Sequence, residues 1–121
     1  MDILIAERNP DLARIWARHL ERQNASVAVA GDRDAAILAL ADAAPGLIVV
    51  SLSLGEAEAL SIADYAAYRH PEAKVIFVTS SSFFTDGSIF KHCANACACL
   101  PEHTDPRDLA ALAAYHLRKA A

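Results

Sequence analysis

Three short runs of the chain are apolar at every position: ILIA at 3–6, LIVV at 47–50 and VIFV at 75–78. A strand with one face in water alternates apolar and polar side chains, whereas a strand covered on both faces is continuously apolar. These runs therefore predict the central strands of a parallel sheet that carries helices on both sides. Two runs of smaller side chains, at 26–30 and 97–100, predict strands at the edges of that sheet.

Between these runs the spacing of apolar residues becomes helical. Asn9 followed by Pro10 is a typical helix start, because asparagine caps the free N–H groups and proline suits the first helical position. Asp32 or Asp34 can cap a second helix in the same way. The buried stripe of the first helix is predicted to be Leu12, Ile15, Trp16, His19 and Leu20. That of the second is predicted to be Ile37, Leu40, Ala41 and Ala44.

Three further helices are expected in the second half of the chain. An alanine-rich segment over 56–69 is stopped by His70 and Pro71, and a segment over 85–94 is a weaker helix because it contains Gly87 and Ser88. Asp105 opens the last helix. Its buried side is predicted to consist of Leu109, Leu112, Ala113, His116 and Leu117.

Strands alternating with helices predict an α/β fold of the (βα)5 kind, one domain over residues 1–121. Placing the three most apolar strands in the centre gives a parallel sheet with strand order 2-1-3-4-5, the flavodoxin-like arrangement, with helices on both faces. In such sheets ligands bind at the carboxyl ends of the strands. The residues at those ends are Glu7, Arg8, Ser51, Thr79 and Glu102.

The overall charge excludes one class of partner. Eleven Lys and Arg against fifteen Asp and Glu give a net charge of −4, so the chain has no basic footprint for nucleic acid. No apolar run approaches the roughly 20 residues that span a bilayer, and the first residues lack the basic flank of a signal peptide. We therefore expect a cytoplasmic protein that binds neither nucleic acid nor membrane.

Several segments resemble the receiver domains of bacterial two-component response regulators, the CheY-like family, along the whole chain. Residues 3–10, ILIAERNP, resemble the opening strand and acidic pair of that family. Residues 45–52, PGLIVVSL, resemble the strand that ends in the phosphoacceptor aspartate, and Thr79 resembles the switch threonine. Residues 100–106, LPEHTDP, take the place of the family's lysine-proline turn. The resemblance implies a signal-transduction module of a phosphorelay.

This sequence differs from the family pattern at three positions that the family uses for its chemistry. By the resemblance, Ser51 stands where the family has its phosphoacceptor aspartate, Arg8 where it has the second magnesium-binding acid, and Glu102 where it has a lysine. Phosphoryl transfer in the family needs an attacking carboxylate, a magnesium ion and a lysine that binds the product. We therefore expect a degenerate pseudo-receiver that is not an enzyme, needs no cofactor and acts independently of phosphorylation.

The exchanged charges suggest two arrangements for the degenerate pocket. Arg8 can form an ion pair with Glu102 or Glu7 that holds the pocket loops, or these side chains can form a solvated surface cluster worth about 0–1 kcal/mol. In the family, the switch threonine moves together with an aromatic residue on the fifth strand. Cys99 occupies that position here, so we expect Thr79 to be only a strand-end hydroxyl.

Thiol and imidazole groups are concentrated near the end of the chain. His92, Cys93, Cys97 and Cys99 are possible ligands of zinc or copper, but the spacing contains no Cys-x2-Cys pair. We expect no metal site and reduced cysteines that pack as small apolar side chains. A thiol or metal sensor on the same fold remains the alternative function.

The face formed by the predicted fourth helix, the fifth strand and the last helix carries aromatic residues. Phe84, Phe90, Cys99 and Tyr115 fall on this face, and the resemblance implies that receiver domains dock their partners there. We therefore expect a protein partner or a homodimer to bind this surface. Isolated apolar residues are also common on ordinary surfaces.

Overall fold

The computed structural model describes residues 1–79 and 93–120, which form a parallel sheet flanked by helices. Its strands are β1 (Ile3–Ala6), β2 (Val27–Ala30), β3 (Leu47–Ser51), β4 (Lys74–Thr79) and β5 (Ala96–Pro101). They pair in parallel in the order β2-β1-β3-β4-β5, as the apolar runs predict. The flavodoxin-like strand order is therefore confirmed.

Four α-helices lie within the described part of the chain: α1 (Pro10–Glu21), α2 (Arg33–Asp42), α3 (Glu56–Arg69) and α4 (Pro106–Ala120). A short 3-10 turn, Leu52–Leu54, joins β3 to α3. The helix predicted over 85–94 lies almost entirely outside the described residues. None of the helices described combines the length and the hydrophobicity needed to cross a membrane.

The core consists of two layers, one on each face of the sheet. Side chains of successive strand residues point to opposite faces. In β1, Ile3 and Ile5 pack on α1 and α4, whereas Leu4 and Ala6 pack on the side of α2 and α3. All four residues of β1 are at most 1% exposed, because both faces of the sheet are covered.

The caps explain where the first two helices begin. The side chain of Asn9 accepts hydrogen bonds from the backbone N–H groups of Asp11 and Leu12, so the predicted start of α1 is confirmed. Of the two candidates for α2, Asp32 is the cap, and its carboxylate accepts from the N–H of Ala35 at 2.7 Å.

Two of the predicted helix stripes are partly wrong. Ile15 is 44% exposed, because the buried side of α1 is centred on Ala13, Trp16 and Leu20, about 130° around the helix from Ile15. Ala41 and Ala44 are also exposed. The buried residues of α2 are Ala36 and Leu40, so the helix lies rotated by part of a turn from the predicted orientation.

Candidate functional site

Buried polar side chains mark one end of the sheet. Within the described residues, the buried polar or charged side chains are Glu7, Ser51 and Thr79, exposed by only 2%, 4% and 4%. Ser51 and Thr79 are the last residues of β3 and β4, and Glu7 follows β1 directly. These are three of the five positions that the sequence places at the carboxyl ends of the strands. Their burial requires hydrogen-bond partners, because desolvating an unpaired polar group is costly.

A chain of hydrogen bonds connects Ser51 to Glu7 through Ser53. The hydroxyl of Ser51 donates to Oγ of Ser53 at 2.8 Å, and the hydroxyl of Ser53 donates to Oε1 of Glu7 at 2.8 Å. The same carboxylate oxygen accepts from the backbone N–H of Asn9 at 3.0 Å. The N–H of Ser53 in turn donates to Oγ of Ser51 at 3.2 Å. The end of β1 is thereby tied to the loop that leaves β3.

Ser53 is the pocket residue that the sequence interpretation missed. It lies in the turn Leu52–Leu54, where Ser51 acts as the cap, so its side chain is brought back over the end of β3. The signal in the sequence is the Ser-Leu-Ser pattern directly after an apolar strand. Gly55 ends the turn with φ 111° and ψ 143°, a backbone conformation that residues other than glycine rarely adopt.

Among the described residues the pocket offers a magnesium ion a single buried carboxylate, that of Glu7. Magnesium is usually held by one or two carboxylates together with waters and phosphate oxygens. Glu7 is the only buried carboxylate among the described residues; its Oε1 accepts two hydrogen bonds, and its Oε2 is buried without a hydrogen-bond partner. No group of three or more His, Cys, Asp or Glu side chains in this part of the chain is arranged to hold a metal.

The predicted ion pair of Arg8 with Glu7 or Glu102 is wrong. Within the described ranges, no ion pair joins Arg8 to either carboxylate. Arg8 is exposed, and it lines a groove on the side of β2. The other lining residues are Gly31, Asp32, Arg33, Asp34, Leu54 and Glu58.

The sheet order explains why this pair does not form. The carboxylate of Glu7 turns inward to Ser53 and Asn9, away from the exposed side on which Arg8 lies. Glu102 follows β5, which is separated from β1 by β3 and β4. Three strand spacings are about 14 Å, too far for a direct contact between these side chains. The sequence could not show that Arg8 turns toward β2.

Thr79 and Glu102 are connected through the backbone. The N–H of Glu102 donates to the carbonyl of Thr79 at 2.9 Å, which holds the residue after β5 against the end of β4. The side chain of Glu102 is exposed. Cys99 is half-buried and packs against the core layer of α2 and α3, so a small side chain fills the position where the family resemblance implies an aromatic one.

Burial changes the chemistry of the three cysteines, all of which are free thiols. It raises the pKa of the thiols of Cys93, Cys97 and Cys99, and the negative charge of Asp64 adds to the effect on the pKa of Cys93. A raised pKa leaves a thiol mostly protonated at neutral pH and therefore a weak nucleophile and metal ligand. His92, the remaining predicted metal ligand, lies outside the described residues.

Only part of the predicted partner-binding face is described. Phe84 and Phe90 lie outside the described residues. Tyr115 is 48% exposed on α4, and its ring contacts that of His116 edge to face, with ring centroids 5.2 Å apart. Of the four residues predicted for this face, Tyr115 and Cys99 can therefore be placed, one half-exposed on α4 and the other in β5.

This chain matches known proteins in three-dimensional structure but not in sequence. No protein-family model matches the chain, and no curated protein sequence matches it significantly. A CheY-like response regulator receiver domain protein from Methanospirillum hungatei JF-1 is similar in structure, with a TM-score of 0.86 and 20% identity over 98% of this chain and 94% of that one. The receiver domain of NtrX from Brucella abortus gives a TM-score of 0.84 and 23% identity over 97% of this chain and 98% of the other.

A third solved structure was determined with a modified aspartate. It is a response regulator protein from Burkholderia pseudomallei with a phosphorylated aspartic acid, a calcium ion and citrate. Its TM-score is 0.79 at 24% identity, over 97% of this chain and 70% of that one. At these identities the comparison establishes a shared fold, that of CheY-like receiver domains.

Proposed function

We propose that this chain is a receiver-like signal-transduction module of the two-component type that acts by protein–protein interaction without accepting phosphate. The observation that carries the proposal is the state of Ser51. Its hydroxyl lies at the carboxyl end of β3, is 4% exposed, and both donates to the side chain and accepts from the backbone of Ser53.

The chemistry of Ser51 supports this proposal. A carboxylate that attacks a phosphoryl group forms an acyl phosphate, which a hydroxyl cannot form. A serine becomes an effective nucleophile when an adjacent base removes its proton. The proton of Ser51 is instead directed at Ser53, whose own proton is directed at Glu7. Ser51 is therefore held as a structural hydroxyl.

The surrounding charges support the same conclusion. A receiver pocket balances phosphoryl charge with a metal ion and a lysine. Here Arg8 faces the groove beside β2, and Glu102 places a carboxylate in the segment where the family resemblance implies the lysine. A phosphoryl group at Ser51 would therefore share its pocket with the carboxylate of Glu7, which no ion pair neutralises among the described residues.

The thiol or metal sensor is the less favoured function. The pKa values of all three thiols are raised, whereas a reactive or metal-binding cysteine needs a lowered pKa. Nothing in the geometry of the described cysteines favours a metal ion.

The proposed module works through a protein partner in the cytoplasm. The net charge of −4 argues against a nucleic-acid partner. We propose that a protein partner, or a second copy, binds the face that includes Cys99 and Tyr115. From the sequence, Phe84 and Phe90 are predicted to belong to the same face. A signal would then be carried by binding alone, since no phosphoryl group alters the pocket.

Phosphotransfer from acetyl phosphate with magnesium tests this proposal. We expect the intact mass of the natural chain to remain unchanged. The matched control is the triple variant Arg8→Asp, Ser51→Asp and Glu102→Lys, which restores the residue types that the family uses and is expected to gain one phosphoryl group. A phosphoryl adduct on the natural chain would contradict the proposal.

A further inference from the structure

The outer side of α1 carries a row of basic residues. Arg14 and Arg18 lie on α1, and Arg22 is its C-cap; all three are exposed. Residues four apart lie on the same side of a helix, so the three guanidinium groups form one ridge about 12 Å long. Ile15, which is 44% exposed, lies beside this ridge. The helical spacing predicts Ile15 in the core, whereas the structure places it at the surface.

The outer side of α2 carries a row of the opposite charge. Asp34, Leu38 and Asp42 follow each other at the same spacing of four, and all three are exposed. Leu38 is 66% exposed, one of the most exposed large apolar side chains described. The second row is therefore an exposed leucine between two carboxylates, again about 12 Å long.

The two rows cannot neutralise each other within one chain. The buried side of α1 packs on one face of the sheet and that of α2 on the other. Arg14 pairs with Asp11 at 3.3 Å and Asp34 with Arg33 at 3.0 Å, with at least half of each side chain exposed. Such exposed pairs are weak. Arg18, Arg22 and Asp42 are in no ion pair within residues 1–79 and 93–117.

We propose that the α1 ridge of one copy docks on the α2 row of a second copy. The three arginines of the ridge outnumber the exposed carboxylates Asp11 and Glu21 on the same side of α1, so its net charge is positive and complements the α2 row. The spacing is the same, and each row offers an aliphatic side chain, Ile15 or Leu38, for the contact. A symmetric contact through either row alone would place arginines against arginines or aspartates against aspartates, which repel each other, and the two rows lie on helices that cover opposite faces of the sheet. The charge pattern therefore favours a head-to-tail contact between different surfaces.

A head-to-tail contact has a distinctive consequence. Each bound copy keeps one free α1 ridge or one free α2 row, so association can continue into rings or open chains. The attraction is local, because two copies of a chain with net charge −4 repel each other at long range. Assembly should therefore depend on protein concentration, and added salt should weaken it by screening the contacts. This inference does not rest on the proposed function.

Sedimentation velocity with two charge variants tests the proposal. Arg18→Glu disables the α1 ridge, and Leu38→Asp disables the α2 row. We expect the natural chain to associate as its concentration rises in low salt. Each variant alone should have a dissociation constant for self-association at least about tenfold higher. Mixed one to one, the two variants should form a heterodimer, because the first keeps an intact α2 row and the second an intact α1 ridge.

The controls separate this contact from other surfaces and from misfolding. Arg107→Glu makes the same charge change at an exposed residue of α4 and should leave association unchanged. Circular dichroism checks that each variant is folded, and Arg22→Glu with Asp42→Arg provides a second pair. A natural chain that stays monomeric at all concentrations, association that survives in both single variants, or failure of the mixed variants to pair would each overturn the proposal.

Discussion

Removing the hydroxyl of Ser53 should destabilise the fold far more than an exposed serine ordinarily would. Ser53→Ala deletes the donor at 2.8 Å from Oε1 of Glu7 and the acceptor at 2.8 Å from the hydroxyl of Ser51. Because Glu7 is only 2% exposed, water has little access to replace the lost donor. A hydrogen bond to a charged group contributes about 1.5–3 kcal/mol, and a neutral one about 0.5–1.5 kcal/mol.

These contributions predict that Ser53→Ala lowers the free energy of unfolding by about 2–4 kcal/mol, a large part of the 5–15 kcal/mol typical of a domain. The side chain of Ser53 is exposed, so little of this loss comes from packing. Urea unfolding followed by the fluorescence of Trp16, the single tryptophan of the chain, measures the change. Trp16 is 2% exposed and should respond strongly to unfolding.

A matched serine and a double-mutant cycle complete this experiment. Ser61→Ala, in α3 and away from the pocket, should change stability by no more than about 0.5 kcal/mol. Combining Ser53→Ala with Glu7→Gln should cost less than the sum of the two changes, since both act on the same hydrogen bond. If Ser53→Ala is as stable as the natural chain, the hydrogen-bond chain does not hold the pocket.

Three further predictions concern other parts of the molecule. Gly55→Ala should lower the free energy of unfolding by about 1–3 kcal/mol, because φ 111° strains any side chain; an unchanged thermal midpoint would contradict this. The hydrogen bond from Arg107 lowers the pKa of Asp105 to about 2. The stability that this interaction contributes is therefore fully present above the ordinary aspartate pKa of 3.8 and is lost as the pH falls toward 2. Arg107→Gln should move the NMR titration of Asp105 back toward 3.8, and an unmoved midpoint would refute the assigned cause. Iodoacetamide should modify Cys97 and Cys99 more slowly in the folded chain than in urea at neutral pH, since burial raises the pKa of both thiols; equal rates would count against this.

The sheet could be predicted from the sequence because its signal is local and strong. A strand buried on both faces must be apolar at each position, so the runs at 3–6, 47–50 and 75–78 each coincide with a central strand. The starts of α1 and α2 followed from the capping chemistry of Asn9 and Asp32. The strand order followed from which runs were most apolar.

The pocket could be predicted in its positions but not in its contacts. The carboxyl ends of the strands located Glu7, Ser51 and Thr79, because a parallel sheet brings these ends to one edge. The direction in which Arg8 turns depends on how the chain leaves β1, and the role of Ser53 depends on a turn of three residues. Neither is visible in a pattern of residue types. The exposure of Ile15 also could not be predicted from residue types. Alanines such as Ala13 and Ala17 take positions on the buried side of α1, so the largest apolar residues alone do not mark that side.

The most direct measurement of the central claim is an amide NMR spectrum recorded before and after adding magnesium and then acetyl phosphate. With Ser51 held by Ser53 and no buried carboxylate beyond Glu7 among residues 1–79 and 93–117, the amide signals of residues 7, 51, 53 and 79 should stay where they are in all three spectra. Shifts of these signals on adding magnesium, followed by a second set on adding the phosphodonor, would show a working phosphoacceptor pocket and contradict the account.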